Sequence, residues 1–245
     1  MTNPPQKITM VYAYFENGSM LERQMQEWQT YANKESWRII IIDDCSKRDP
    51  AISHIKPISG MQIDLFRIET DIPWNQNGAR NLGMKHTDPD DWCLMTDMDH
   101  VLTKNNANKL LHQVNRKEKA VYCFSRLRMP KMEPVKPHPN SYFLQSKMYW
   151  QVGGYDERLC GYYGTDSTLR NHLRKACRAY ETIKTIPLIV YGRDVIPDAS
   201  TTDYGRKDSK YYIENNREVA KLKKKNTVTE KLHLNFEWSK LEIPH

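Results

Sequence analysis

The sequence predicts an α/β protein: a mostly parallel central sheet flanked by helices. Three observations carry this. Residues 37–42 (Trp-Arg-Ile-Ile-Ile-Ile) are a continuous β-branched run with no polar alternation, the mark of a strand buried on both faces. Strand-like and helix-like segments alternate along the first hundred residues, the order expected of an α/β sheet. Polar and acidic residues collect just after these apolar runs, where ligands bind in open α/β sheets.

Residues 8–14 (Ile-Thr-Met-Val-Tyr-Ala-Tyr) form the first predicted strand. A helix follows over 20–33, with Leu21, Met25, Trp28 and Tyr31 on one face and Ser19 as its cap. The run at 37–42 ends in Asp43 and Asp44, and 61–68 is a third, more alternating strand. A helix at 77–85 precedes the stretch Trp92-Cys93-Leu94-Met95-Thr96-Asp97-Met98-Asp99-His100. Beyond it the pattern gives a helix at 104–115, a strand at 120–125, a proline-rich loop at 130–139 and a short strand at 142–145. A short helix at 147–152, a helix at 166–175 and a strand at 186–191 complete the body. Composition turns polar after residue 192. We therefore divide the chain into a main domain, 1–200, and a basic C-terminal extension, 201–245, with an amphipathic helix at 211–225.

The chain has 245 residues, 39% hydrophobic and 27% charged, an ordinary globular balance. Its net charge is +7 and sits mostly between residues 205 and 231, so the tail rather than the body is basic. Such a tail suits either an anionic partner or a solvated helix face. Five scattered cysteines without a C-x-x-C pair suit buried free thiols in a reducing compartment. The N-terminus lacks an apolar signal segment and no apolar run approaches a membrane span, so the sequence reads as soluble and cytoplasmic.

Asp97 and Asp99 stand two apart at the end of a strand, so both carboxylates are able to face one site. Paired carboxylates repel unless a cation or donor lies between them, and hard oxygen ligands suit Mg or Mn together with phosphate oxygens. A solvated turn is the alternative. Asp44 is placed to accept a hydrogen bond from a nucleobase N–H or a ribose hydroxyl, or to cap a turn. In Asn77-Gly78-Ala79-Arg80-Asn81-Leu82-Gly83 we read Gly78 as backbone freedom and Arg80 as a planar fork matching diphosphate oxygens. Gly153-Gly154-Tyr155-Asp156-Glu157 leads to Gly161-Tyr162-Tyr163-Gly164-Thr165-Asp166. Glycines beside aromatics suit a sugar lying against the backbone, making Tyr155, Tyr162, Tyr163 and Thr165 candidate acceptor contacts. Asp166 opens a helix and is either a general base or only that helix's cap. His100 adjoins the aspartate pair but points the other way in a strand. His233 is a candidate to fold back as a metal ligand, with core-edge packing as the alternative.

Taken in order, these motifs resemble those of the inverting glycosyltransferases of family 2, with the GT-A fold and its Rossmann-like nucleotide-binding half. The resemblance covers about residues 8–195. It implies a nucleotide-diphosphate sugar donor and a divalent cation, Mn or Mg. It implies Tyr12, Ala13 and Asp44 near the nucleobase, Arg80 near the donor phosphates, Asp97 at the ribose or metal shell, Asp99 on the metal and Asp166 as base. This chain has Thr165 where that family often has Glu, Thr168 where a further acid often stands, and no clear downstream histidine ligand. The acceptor is expected to be a saccharide or glycoconjugate, or a hydroxymethylated base of viral DNA. Two other classes fit parts of the sequence. A nucleotidyltransferase is disfavoured because residues 12–20 hold a single Gly and no Lys or Arg. A non-catalytic nucleic-acid-binding protein would use the basic tail alone.

Overall fold

The first strand, β1 (Ile8–Tyr14), is buried along almost its whole length. The following helix, α1 (Gly18–Gln29), buries Leu21, Met25 and Trp28 as the 3.6 period requires. It starts one residue before the expected cap, Ser19, and ends at Thr30, where the N–H groups of Thr30 and Tyr31 turn back to the carbonyls of Glu27 and Trp28. Tyr31 lies beyond the helix yet remains buried, its hydroxyl donating to the Leu102 carbonyl at 2.5 Å. This is a computed structural model, and it describes residues 7–112, 114, 116–162, 166–201, 221 and 233–244.

The chain continues through β2 (Trp37–Asp43), β3 (Gln62–Ile68), α2 (Gln76–Lys85), β4 (Trp92–Asp97) and β5 (His100–Val101). Then come α3 (Lys104–His112), β6 (Ala120–Arg128), β7 (Glu133–Val135), β8 (Tyr142–Gln145) and α4 (Ser146–Gln151). Last are α5 (Ser167–Ala176), β9 (Ala179–Val190) and β10 (Trp238–Leu241). One sheet runs β10-β3-β2-β1-β4-β8-β6-β9-β5, with β7 paired to β6. The block β3-β2-β1-β4 is parallel, while β8 joins β4 antiparallel.

Because side chains alternate along a strand, the apolar runs feed two core layers. Met10, Tyr12, Ile39 and Ile41 pack with Leu21, Met25, Trp28 and Leu110 on the side of α1 and α3. Val11, Ile40, Ile42 and Met95 pack with Leu82, Met148 and Tyr149 on the side of α2 and α4. Helix α2 lies close against β1 because Gly83 has no side chain. A Cβ there would stand 2.4 Å from Val11 Cγ1. Gly78 also serves packing rather than the backbone freedom expected of it: a Cβ would meet Asn75 Oδ1 at 2.3 Å and Phe236 at 2.6 Å.

Several elements depart from the expected pattern, among them the added strand β5 and the longer β6. Strand β9 begins seven residues early, because its first half carries exposed Glu181 and Lys184 and shows no apolar signature. The proline-rich loop contains the short edge strand β7, where Pro134 is tolerated. The expected helix at 211–225 lies, apart from Lys221, outside the described residues. After it the chain returns as β10, antiparallel to β3, with Trp238 opposite Ile68 and Leu241 opposite Leu65. Glu157 holds this return, accepting the Leu234 N–H at 2.7 Å. No helix among the described residues is long and apolar enough to cross a membrane.

Candidate active site

Register places the acidic residues at one edge of the sheet. Ala13 on β1 lies opposite Ile42 on β2 and Asp97 on β4, so both neighbouring strands run out into acids at this level. A cleft opens there, lined among others by Ala13, Phe15, Asp44, Trp74, Asp97 and Asp99. Four of the residues singled out from the sequence therefore share one cavity. Phe15, an aromatic left 43% exposed in this cleft, was not singled out; its one signal is an apolar residue directly after a strand.

Asp44 sits where β2 ends, its N–H donating to the Tyr14 carbonyl at 2.9 Å. Its Oδ1 is buried without a hydrogen-bond partner. Burial pushes its carboxyl up to about 7. Hydrogen bonding from Asn75 opposes this shift, and the charges of Asp43 and Asp71 add to it. A desolvated acceptor with no protein donor on Oδ1 is a ready partner for an N–H or O–H from a ligand. Neighbouring Asp43 is committed to structure: it accepts from the backbone N–H groups of Ser46 and Ala51 and pairs with Arg67 at 3.1 Å.

Asp97 is the most contacted carboxylate of the cleft. Arg80 pairs with its Oδ1, Gln76 donates to the same oxygen at 3.2 Å, and His138 Nε2 lies 3.2 Å from Oδ2. Burial raises the Asp97 carboxyl, and the Arg80 charge works against that rise. His138 is pushed well below the usual imidazole range by burial, with the charges of Arg126 and Arg80 adding to it. It is thus neutral. Its Nε2–H donates to Asp97, and Nδ1 accepts from Ser141 Oγ at 3.2 Å. The same logic fixes His100: Arg126 Nη1 lies 2.8 Å from Nε2 and has only donors, so Nδ1 carries the proton and gives it to Asp99 Oδ1 at 2.6 Å. His138 carries no sequence signal, standing in the proline-rich loop.

The other site residues fall as follows. Tyr12 does not line the cleft. Strand alternation turns it under α1, where its ring packs 5.5 Å from Trp28. Arg80 does not line the cleft either: it is fully buried on the inner face of α2 and faces Asp97 from behind. Tyr155 is buried too, with its hydroxyl between Arg80 Nη1 and Asn140 Oδ1, both at 3.0 Å. Tyr162 is half-buried, and Tyr163 and Thr165 lie outside the described residues. His233 stands against Trp150, with Nδ1 3.9 Å from Glu157, because the Leu234–Glu157 bond anchors the returning chain there. Its contacts do not include Asp97 or Asp99. Asp166 occupies the N-cap position of α5 but makes no cap bond; its Oδ1 instead accepts from Asn140 Nδ2 at 2.6 Å. It is not among the residues lining the cleft, although its charge acts on Arg80, Tyr155 and Asp97.

Among the described residues no three His, Cys, Asp or Glu side chains are grouped as a complete metal site. Asp97 and Asp99 do both line the cleft. That donor set fits a hard cation that draws its remaining ligands from water and phosphate oxygens.

Parallel strands ending in carboxylates around one cleft, with a mixed half beside them, define a GT-A-type nucleotide-sugar transferase fold. Comparisons with solved structures agree on the fold. S. aureus TarS 1-349 in complex with UDP-GlcNAc matches at 11% identity and TM-score 0.66, over 91% of this chain and 67% of that one. The mannosyltransferase PcManGT from Pyrobaculum calidifontis, in complex with GDP-Man and Mn2+, matches at 13% identity and TM-score 0.58, over 76% and 57%. Against the longer S. aureus TarS chain the match spans 37% of its length, at 10% identity and TM-score 0.62, over 76% of this chain. Among curated proteins none matches the sequence. The sequence model of glycosyl transferase family 2 matches residues 14–180, more than half of the chain, and the chain belongs to that family. It is a glycosyltransferase, which sets aside the nucleotidyltransferase and non-catalytic alternatives.

Proposed function

We propose that this glycosyltransferase moves a hexosyl-type sugar from a nucleotide-diphosphate sugar to an acceptor hydroxyl with inversion, using Mn or Mg. The observation that carries the reading is the convergence of Asp44, Asp97 and Asp99 on one cleft at the ends of β2 and β4. The neighbours support the donor class, being complexes with UDP-GlcNAc and with GDP-Man and Mn2+.

Asp44 accepts from the nucleobase or ribose, with Ala13 at the strand end beside it. Asp97 and Asp99 would hold the cation. Its chemistry there is charge neutralisation and Lewis-acid polarisation of the diphosphate leaving group. Arg80 acts through Asp97, opposing the rise that burial imposes on that carboxyl, instead of touching the phosphates. Asp166 takes the proton of the acceptor hydroxyl as its oxygen attacks the anomeric carbon on the face opposite the diphosphate, so the configuration inverts. We assign the acceptor as a saccharide or glycoconjugate, contacted near Tyr162, Tyr163 and Thr165. We place the enzyme in the cytoplasm, where its free cysteines stay reduced.

Asp166→Asn is the test. It should abolish transfer while stabilisation by donor and Mn persists; wild-type turnover in this variant would remove Asp166 as base. A gel shift on duplex DNA at low salt tests the acceptor. No binding is expected, and tight, salt-sensitive binding would replace the saccharide with DNA.

A further inference from the structure

Resting on the reading of Asp166 as the base, we propose that Asn140 is a positioning residue that aims and holds the Asp166 carboxylate. The warrant is a one-way chain of hydrogen bonds. Arg80 has only donors, so where Nη1 meets Tyr155 OH at 3.0 Å the hydroxyl oxygen must accept. The Tyr155 proton is then free to go to Asn140 Oδ1, 3.0 Å away. That fixes which end of the Asn140 amide is oxygen, so its NH2 group faces Asp166 and donates to Oδ1 at 2.6 Å. Asn140 and Tyr155 are both buried, at 4% and 1% exposure, so water does not compete for the bond between them.

The chain has a carboxylate at each end. The other amino group of Arg80 pairs with Asp97 in the donor cleft. One buried guanidinium therefore ties the carboxylate assigned to the donor side to the one assigned to the acceptor. Asp166 has no side-chain cap bond to hold it. Asn140 fixes Oδ1, and in this proposal Oδ2 is the oxygen that meets the acceptor hydroxyl. Asn140 bonds Asp166 directly and Tyr155 bonds Asn140, so both act through Asp166.

The test combines kinetics with crystallography. Turnover is read as nucleoside diphosphate released from UDP-GlcNAc or GDP-mannose with Mn, with methyl glycosides as acceptors. Asn140→Ala should lower kcat roughly 100-fold, the scale of a misplacement of about 1 Å, with KM for donor and acceptor unchanged. Its crystal structure, which needs no donor, should show the Asp166 carboxylate turned from its wild-type direction. Tyr155→Phe keeps the buried ring and the Asn140 side chain but frees the amide to flip, and should lower kcat less, again at unchanged KM. If Asn140→Ala does not fold, Tyr155→Phe decides. Wild-type kcat in the folded variant, a loss confined to KM, or an unmoved Asp166 carboxylate would overturn the proposal. An active Asp166→Asn would instead overturn the base assignment, a separate result from an inactive Asp166→Asn beside an unaffected Asn140→Ala.

Discussion

Replacing Asp44 with asparagine tests the electrostatics of the cleft without any knowledge of substrate. Burial raises this carboxyl from its ordinary 3.8 to about 7. The folded protein therefore keeps a proton that the unfolded chain has released, and the carboxyl makes stability fall as pH rises from about 4 to about 7. At about 1.4 kcal/mol per tenfold, the full difference is about 4 kcal/mol. Relaxation and water entry around the ionised group reduce this, leaving about 2–4 kcal/mol. Asp44→Asn has the same shape and no proton to lose. Between pH 5 and pH 8 only about two of the three pH units of that difference are crossed, so urea unfolding should show the wild type losing about 1–3 kcal/mol more than the variant, at equal m-values. Above pH 7 the variant should be the more stable protein. Identical losses in the two proteins would refute a proton held on Asp44.

Arg80→Met leaves Asp97 buried without its cation and should cost about 3–5 kcal/mol in chemical denaturation, along with nearly all transfer activity. A loss under about 1 kcal/mol would mean that Asp97 is solvated in solution. Gly83→Ala drives a methyl into Val11 and should cost about 1–3 kcal/mol, read as a lower Tm; adding Val11→Ala should recover part of it. An unchanged Tm in Gly83→Ala would show that α2 does not sit this close to β1.

Strands β1, β2 and β4 were legible because burial on both faces demands unbroken apolar runs. That same property hid the orientation of Tyr12: a run without alternation does not say which residues face which layer, so Tyr12 and Ala13 were indistinguishable. Arg80 illustrates a second limit. A guanidinium beside glycine and asparagine reads equally as a phosphate clamp or a buried partner, and only the packing of α2 on β1 selects Asp97. The start of β9 was unreadable because exposed Glu181 and Lys184 mask a strand made by backbone pairing with β6. Strand β10 pairs across about 170 residues with β3, which no local pattern encodes. Asn140 and His138 sit in or beside a proline-rich loop, and their partners Asp97, Tyr155 and Asp166 become neighbours only on folding. The acids at the strand ends were legible, since strand ends collect at one edge of a parallel sheet whatever the loops do.

The central claim is that these acids form one cation-dependent grip on the diphosphate of an activated sugar. Thermal unfolding with Mn and a panel of UDP- and GDP-sugars, run on wild type and Asp99→Asn, tests it most directly. At least one nucleotide sugar should raise the wild-type Tm, more with Mn than without, and Asp99→Asn should lose the Mn-dependent part. No stabilisation by any donor, or the same Mn-dependent rise in Asp99→Asn, would contradict the account.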